Sequence, residues 1–130
     1  MGAFDLLRIA GSSLGAHQTW LDALAGNIAN INTVTSTGQA AFQAAMPIMT
    51  NAAGGGVAVT GMAGSDPAGR LVHDPTHPLA DAEGYVRTPD IDMSSQISQL
   101  IMAQRGFQAS VQVTKDAQDT YNAALQIGRA

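Results

Sequence analysis

All five prolines of this 130-residue chain fall in its middle, at Pro47, Pro67, Pro75, Pro78 and Pro89. Proline lacks a backbone donor and clashes with the preceding turn, so it breaks a helix interior. Long helices are therefore confined to the two ends, and the middle is left to short elements. The apolar spacing agrees. From Phe4 to Ala29, the positions Phe4, Leu7, Gly11, Leu14, Gln18, Leu21, Ala25 and Ile28 alternate steps of three and four, which is a heptad seam. From Met93 to Gly128 the same alternation runs through Met93, Ile97, Leu100, Gln104, Phe107, Val111, Thr114, Gln118, Tyr121 and Leu125. Asp92 stands where an N-cap is needed, its carboxylate able to accept from the free donors of the first turn. At 1.5 Å per residue the second helix would be a rod roughly 50 Å long.

These signals predict a mainly α fold. N- and C-terminal helices, within residues 1–32 and 91–130, pack as an antiparallel coiled coil around a small irregular or β-hairpin middle region at 33–90. The small residues Gly11, Ser12, Gly15 and Ala16 would let another backbone come close to the first helix. In the middle, Gly54-Gly55-Gly56 reads as flexible punctuation and Val57-Ala58-Val59 as a short strand, with a loop from Gly61 to Gly69. Leu71-Val72-His73 and Tyr85-Val86-Arg87 read as a hairpin closed by the turn-rich DPTHPLADAEG. A hairpin of that size needs support from another element.

Charge is unusually dilute: 12% of residues are charged and 5% aromatic, although 45% are hydrophobic. A typical domain carries about 25% charged residues. A weakly charged surface rich in Ala and Gln fits a subunit covered by neighbours. The net charge of −4 and the scattered cations argue against a nucleic-acid partner. Cysteine is absent, which excludes disulfides and thiolate chemistry. No apolar run is long enough to span a membrane. The opening MGAFDLLRIAG has no basic start, so a cleaved secretory signal is not expected.

Catalytic patterns are weak. His73, Asp74, His77 and Asp81 lie close together in HDPTHPLAD, but their spacing matches no zinc pattern and the segment is built for a turn. Ser12, Ser13, His17 and Asp22 share a helix, which offers neither a nucleophile elbow nor an oxyanion hole. The glycine triplet lacks the Lys-Ser/Thr of a phosphate loop. The chain is expected to be no enzyme and to need no metal, cofactor or small-molecule substrate.

The first helix closes on LAGNIANINT, where Asn27, Asn30 and Asn32 crowd one helix end. Asn27 is placed to bond sideways to a neighbouring helix. Asn30 or Asn32 is expected to take the left-handed conformation that stops the helix. GNIANINT resembles the N-terminal signature of the bacterial flagellar axial proteins, the rod and hook group. LVHDPTHPLADAEGYVRTPDIDM resembles the central block of the C-type proximal rod subunit within the flagellar basal-body rod protein family. MAQRGFQASVQVTKDAQDTYNAALQIGR resembles the axial C-terminal helix. His73 and Phe107 stand where that family usually has Tyr, and Ser110 where it has Asn.

The resemblance implies a structural subunit of the flagellar basal body that polymerises through its terminal helices into the helical drive-shaft transmitting motor torque. Its implied partners are other rod subunits, copies of itself and the flagellar export apparatus, with no direct membrane insertion. Its implied place is the periplasmic rod, reached by type III export without a cleavable signal peptide. The expected assembly interface comprises Leu7, Leu14, Leu21, Asn27, Ile28, Asn30 and Asn32 on the first helix. On the second it comprises Ile97, Leu100, Phe107, Val111, Tyr121 and Leu125. The terminal helices are expected to be mobile in the free subunit and to order on docking. A coiled-coil adaptor or export-chaperone-like module is the competing reading, which the glycine-rich strand region disfavours.

Overall fold

Both ends are helical. In the computed structural model, which describes residues 2–129, helix α1 spans Ala3–Ala29 and helix α2 spans Met93–Ile127. Asp92 caps α2 as the sequence predicts, its carboxylate accepting from Ser95 N–H at 2.8 Å. The backbone N–H of Gly2 donates to Asp5 at 3.1 Å at the start of α1.

The end of α1 departs from expectation. No described residue other than glycine has positive φ, and Asn30 sits at φ −105° and ψ 6°. The helix instead tightens into short turns, in which Ile31 N–H donates to Ile28 C=O and Thr33 N–H to Asn30 C=O. The Asn30 side-chain amide donates back to Gly26 C=O at 2.9 Å, adding to the bond that the Asn30 backbone N–H makes to the same carbonyl at 3.2 Å.

The helices run antiparallel, as three contacts along their length establish. Phe4 meets Tyr121 edge-on with ring centroids 5.1 Å apart, Ser13 shares a hydrogen bond with Ser110 at 2.9 Å, and Asn27 donates to Gln96 at 3.0 Å. Beyond Tyr121, α2 continues to Ile127, past the level of Phe4.

One column of the predicted seam is displaced by a residue. In α2 the buried positions are Ala103, Ser110 and Ala117, seven apart, whereas Gln104, Val111 and Gln118 face outward. In α1, Ala10 and Leu24 are buried and His17 is half-buried, whereas Gly11, Gln18 and Ala25 are exposed. In the other predicted column of α2, Leu100, Phe107, Thr114 and Tyr121 are half-buried as a seam requires, and Met93 at its head is exposed. The displacement has a steric cause. The helices approach so closely that a Cβ on Gly106 would overlap the His17 ring, so small side chains take the central column.

Two antiparallel hairpins fill the middle. Strand β1, Ala45–Asn51, pairs with β2, Val57–Gly64, and the register shifts between Ile48 and Met49. The sequence analysis does not anticipate β1, and it takes 61–69 as loop. Pro47 argues against a strand, but a two-stranded hairpin consists only of edges, where a missing donor is tolerated. Strand β3, Arg70–His73, pairs with β4, Tyr85–Thr88, matching Leu71 with Arg87 and His73 with Tyr85. This is the hairpin the sequence predicts. Its support is Thr35, which exchanges two backbone hydrogen bonds with Arg87 at 2.8 and 2.9 Å. Val86 within β4, and Pro89 and Ile91 in the segment that leads from β4 to α2, are buried.

Candidate assembly interface

Twelve of the thirteen residues expected at an interface fall into three environments. Leu7, Leu14, Leu21, Ile28, Leu100, Phe107 and Tyr121 are half-buried in the pair formed by α1 and α2 of one chain. Asn30 is half-buried at its own helix end. Ile97, Val111 and Leu125 are 45%, 44% and 50% exposed, and Asn32 is exposed as well.

Asn27 stands apart. It is 3% exposed and spends its whole amide inside the chain. Its Nδ2 donates to Ala45 C=O at 2.9 Å and to Gln96 Oε1 at 3.0 Å, and its Oδ1 accepts from Ala45 N–H at 2.8 Å. One side chain thereby joins α1, α2 and the first residue of β1. The sideways bond is real, but its partner is intramolecular, so Asn27 positions elements within the subunit and presents nothing to a neighbour.

The outer surface of α2 carries the free apolar area. Met93, Ile97, Ile101, Met102, Val111, Val113, Leu125 and Ile127 are exposed, and three residues of the 35-residue helix are buried. Between Met93 and Thr114 the only ionisable side chain is Arg105. The first hairpin adds Met46, Ile48, Met49, Val59 and Met62, all exposed. Apolar surface of this extent, with so few charges to keep it solvated, is a candidate interaction face. The sequence analysis reaches Ile97, Val111 and Leu125 but not Ile101, Met102 or Val113. Those three lie off the strict heptad, and a broader apolar stripe would have found them.

A polar layer interrupts the pair. His17 Nδ1 lies 2.8 Å from Ser13 C=O and 3.4 Å from Ser110 Oγ, and Ser110 Oγ donates to Gly106 C=O at 2.9 Å. A polar layer in an otherwise apolar seam selects register. His17 is its one titratable side chain, and both serine hydroxyls are engaged within the layer.

The HDPTHPLAD segment leaves β3 at His73 and reverses through successive turns between Pro75 and Leu79. His77 Nδ1 accepts from Leu79 N–H at 3.1 Å, Asp74 accepts from Thr76 at 2.8 Å, and the His73 ring meets Tyr85 edge-on. Asp81 accepts from Tyr85 N–H at 2.8 Å and Glu83 N–H at 3.1 Å. The Tyr85 bond is the main cause that holds its pKa below the ordinary carboxylate value; desolvation opposes it, and Thr37 and the Glu83 and Gly84 amides help. Among the described residues, no three His, Cys, Asp or Glu side chains converge on a point. No described helix is long and apolar enough to cross a membrane.

Comparison with known proteins matches this arrangement. Residues 82–127, which comprise β4 and α2, match the family described as flagellar basal body rod FlgEFG protein C-terminal. Across 99% of its length the chain is 34% identical to the flagellar basal-body rod protein FlgC of Yersinia enterocolitica and 32% identical to that of Escherichia coli O6:H1, and it covers the whole of each. It is 29% identical to FlgC of Bacillus subtilis strain 168 over the same share. The helical ends, the hairpin block and the full-length likeness agree, and the chain belongs to the FlgC family of flagellar basal-body rod proteins, as a structural and non-enzymatic subunit of the rod.

Proposed function

We propose that this subunit polymerises through the outer face of α2, with Ile97, Val111 and Leu125 pressed against the helices of neighbouring rod subunits and of its own copies. The single observation that carries this reading is the long apolar face on a helix already sealed along its opposite side. A subunit bearing different patches on opposite sides makes head-to-tail contacts that do not close, and such contacts build a helical tube. Torque then passes along a rod of interlocked helices. The family resemblance supports a place in the proximal part of the periplasmic rod and delivery through the flagellar export apparatus.

Because the α1–α2 seam closes within one chain, ordering on assembly is confined to what α1 leaves uncovered, chiefly the turns after Tyr121. Two substitutions separate folding from assembly. Leu125→Asp, at an exposed site, is expected to leave the melting temperature of the purified chain within about 0.5 kcal/mol equivalent of wild type and to abolish motility. Leu100→Asp, at a half-buried site, is expected to destabilise the chain itself by about 2–4 kcal/mol. Normal swarming by the Leu125→Asp strain would refute the assignment of this face.

A further inference from the structure

The glycine triplet is not loose. Gly54, Gly55 and Gly56 have φ of 85°, 93° and 95°, values that side-chain-bearing residues rarely adopt. The tip they form lies on the first turns of α1. A Cβ on Gly55 would stand 3.2 Å from Ile9 Cδ1, and one on Gly56 would overlap Ser12 Oγ. The Arg8 guanidinium donates to Gly55 C=O at 3.1 Å and to Gly54 C=O. Ser12 Oγ accepts from Val57 N–H at 3.1 Å while donating to Ile9 C=O at 2.7 Å. Arg8 also lies 3.8 Å from Asp5, whose carboxylate accepts from Gly2 N–H. A continuous polar chain therefore runs from the start of α1 to the tip of the β1–β2 hairpin.

We infer that this tip is a clip joining two events: ordering of the first turns of α1 and seating of the β1–β2 hairpin. Each supplies what the other lacks. The hairpin tip has two carbonyls and an amide that its own turn leaves unpaired, and helical backbone geometry brings Arg8 and Ser12, one turn apart, onto one side to meet them. Gly11, Ser12, Ser13 and Gly15 weaken α1 just beyond its first two turns, and the residues before them gain an anchor independent of α2. The clip also seats the exposed face of Met46, Ile48 and Met62 at a fixed angle to the helix pair. The inference concerns the fold of the single chain and holds or fails apart from which face meets a neighbour.

Reciprocity is the test. Hydrogen–deuterium exchange of the full-length chain is read in two regions, residues 4–14 and residues 45–64, with residues 70–88 as control. Arg8→Ala is expected to speed exchange about tenfold in the hairpin as well as in the helix, and Gly56→Ala to do the same in the helix as well as in the hairpin, with the control region unchanged. Should either variant lose protection throughout, Ser12→Ala, which removes the bond to Val57, serves as the milder perturbation with the same two-way reading. A response confined to the mutated element would overturn the inference. So would a wild-type chain in which either region is already unprotected, since the clip would then hold nothing.

Discussion

Replacing Asn27 by Ala should be the most damaging single truncation in this subunit of a residue that makes no apolar seam. The side chain makes three hydrogen bonds, two to the backbone of Ala45 and one to Gln96. Each contributes about 1 kcal/mol net, and a buried group left without its partner costs about 1–3 kcal/mol. Ala45 and Gln96 are half-buried, so water reaches part of the gap and the lower end of that range applies. The expected loss is about 2–4 kcal/mol, against a total stability of about 5–15 kcal/mol for a domain. At about 4 °C per kcal/mol for a chain of this size, the melting temperature falls by about 8–16 °C. Urea unfolding followed by circular dichroism at 222 nm measures the loss, with Asn32→Ala as an exposed control within about 0.5 kcal/mol of wild type. Asn27→Asp sharpens the test. Its ionised form keeps the bond from Ala45 N–H but turns two acceptors, Ala45 C=O and Gln96 Oε1, toward a carboxylate. Burial and these acceptors raise the folded-state pKa of the new acid, so its destabilisation should shrink as pH falls and the protonated group donates again. An Asn27→Ala chain within about 0.5 kcal/mol of wild type would refute the three-way junction.

Two further outcomes test the packing and the turn. Ala in place of Gly11, where open space surrounds the added methyl, should stabilise the chain by about 0.8–1 kcal/mol, whereas Gly106→Ala meets the His17 ring and should destabilise it by about 1–3 kcal/mol; equal melting temperatures for the two would contradict the close helix approach. Asp81 has a depressed pKa in the folded chain, so its support of the turn is complete above the ordinary carboxylate pKa and is lost as pH falls through the lowered value. The Tyr85 amide resonance should move with that titration in wild type and stay still in Asp81→Asn.

The helices were legible because proline and heptad spacing act locally. Five prolines between Pro47 and Pro89 leave nowhere else for a long helix, and Asp92 marks where the second one starts. The β3–β4 hairpin was legible for the same reason, since its turn is dense in Pro, Asp and Gly. Strand β1 was not, because Pro47 carries the opposite local signal and only pairing with β2 overrides it.

The sequence alone determined that two weakly charged helices bracket a short-stranded middle, because periodicity and backbone restriction belong to each segment by itself. Which column of each helix faces inward was decided only by the tertiary structure. Ala103 and Val111 are both consistent with a heptad, and the choice falls to Ala103 because the helices come close enough at Gly106 and His17 to admit only small side chains. Tertiary structure also chose the partners of Asn27, which are the Ala45 backbone and Gln96 of α2. It likewise gave the glycine triplet a seat on Arg8 and Ser12 that no local pattern encodes.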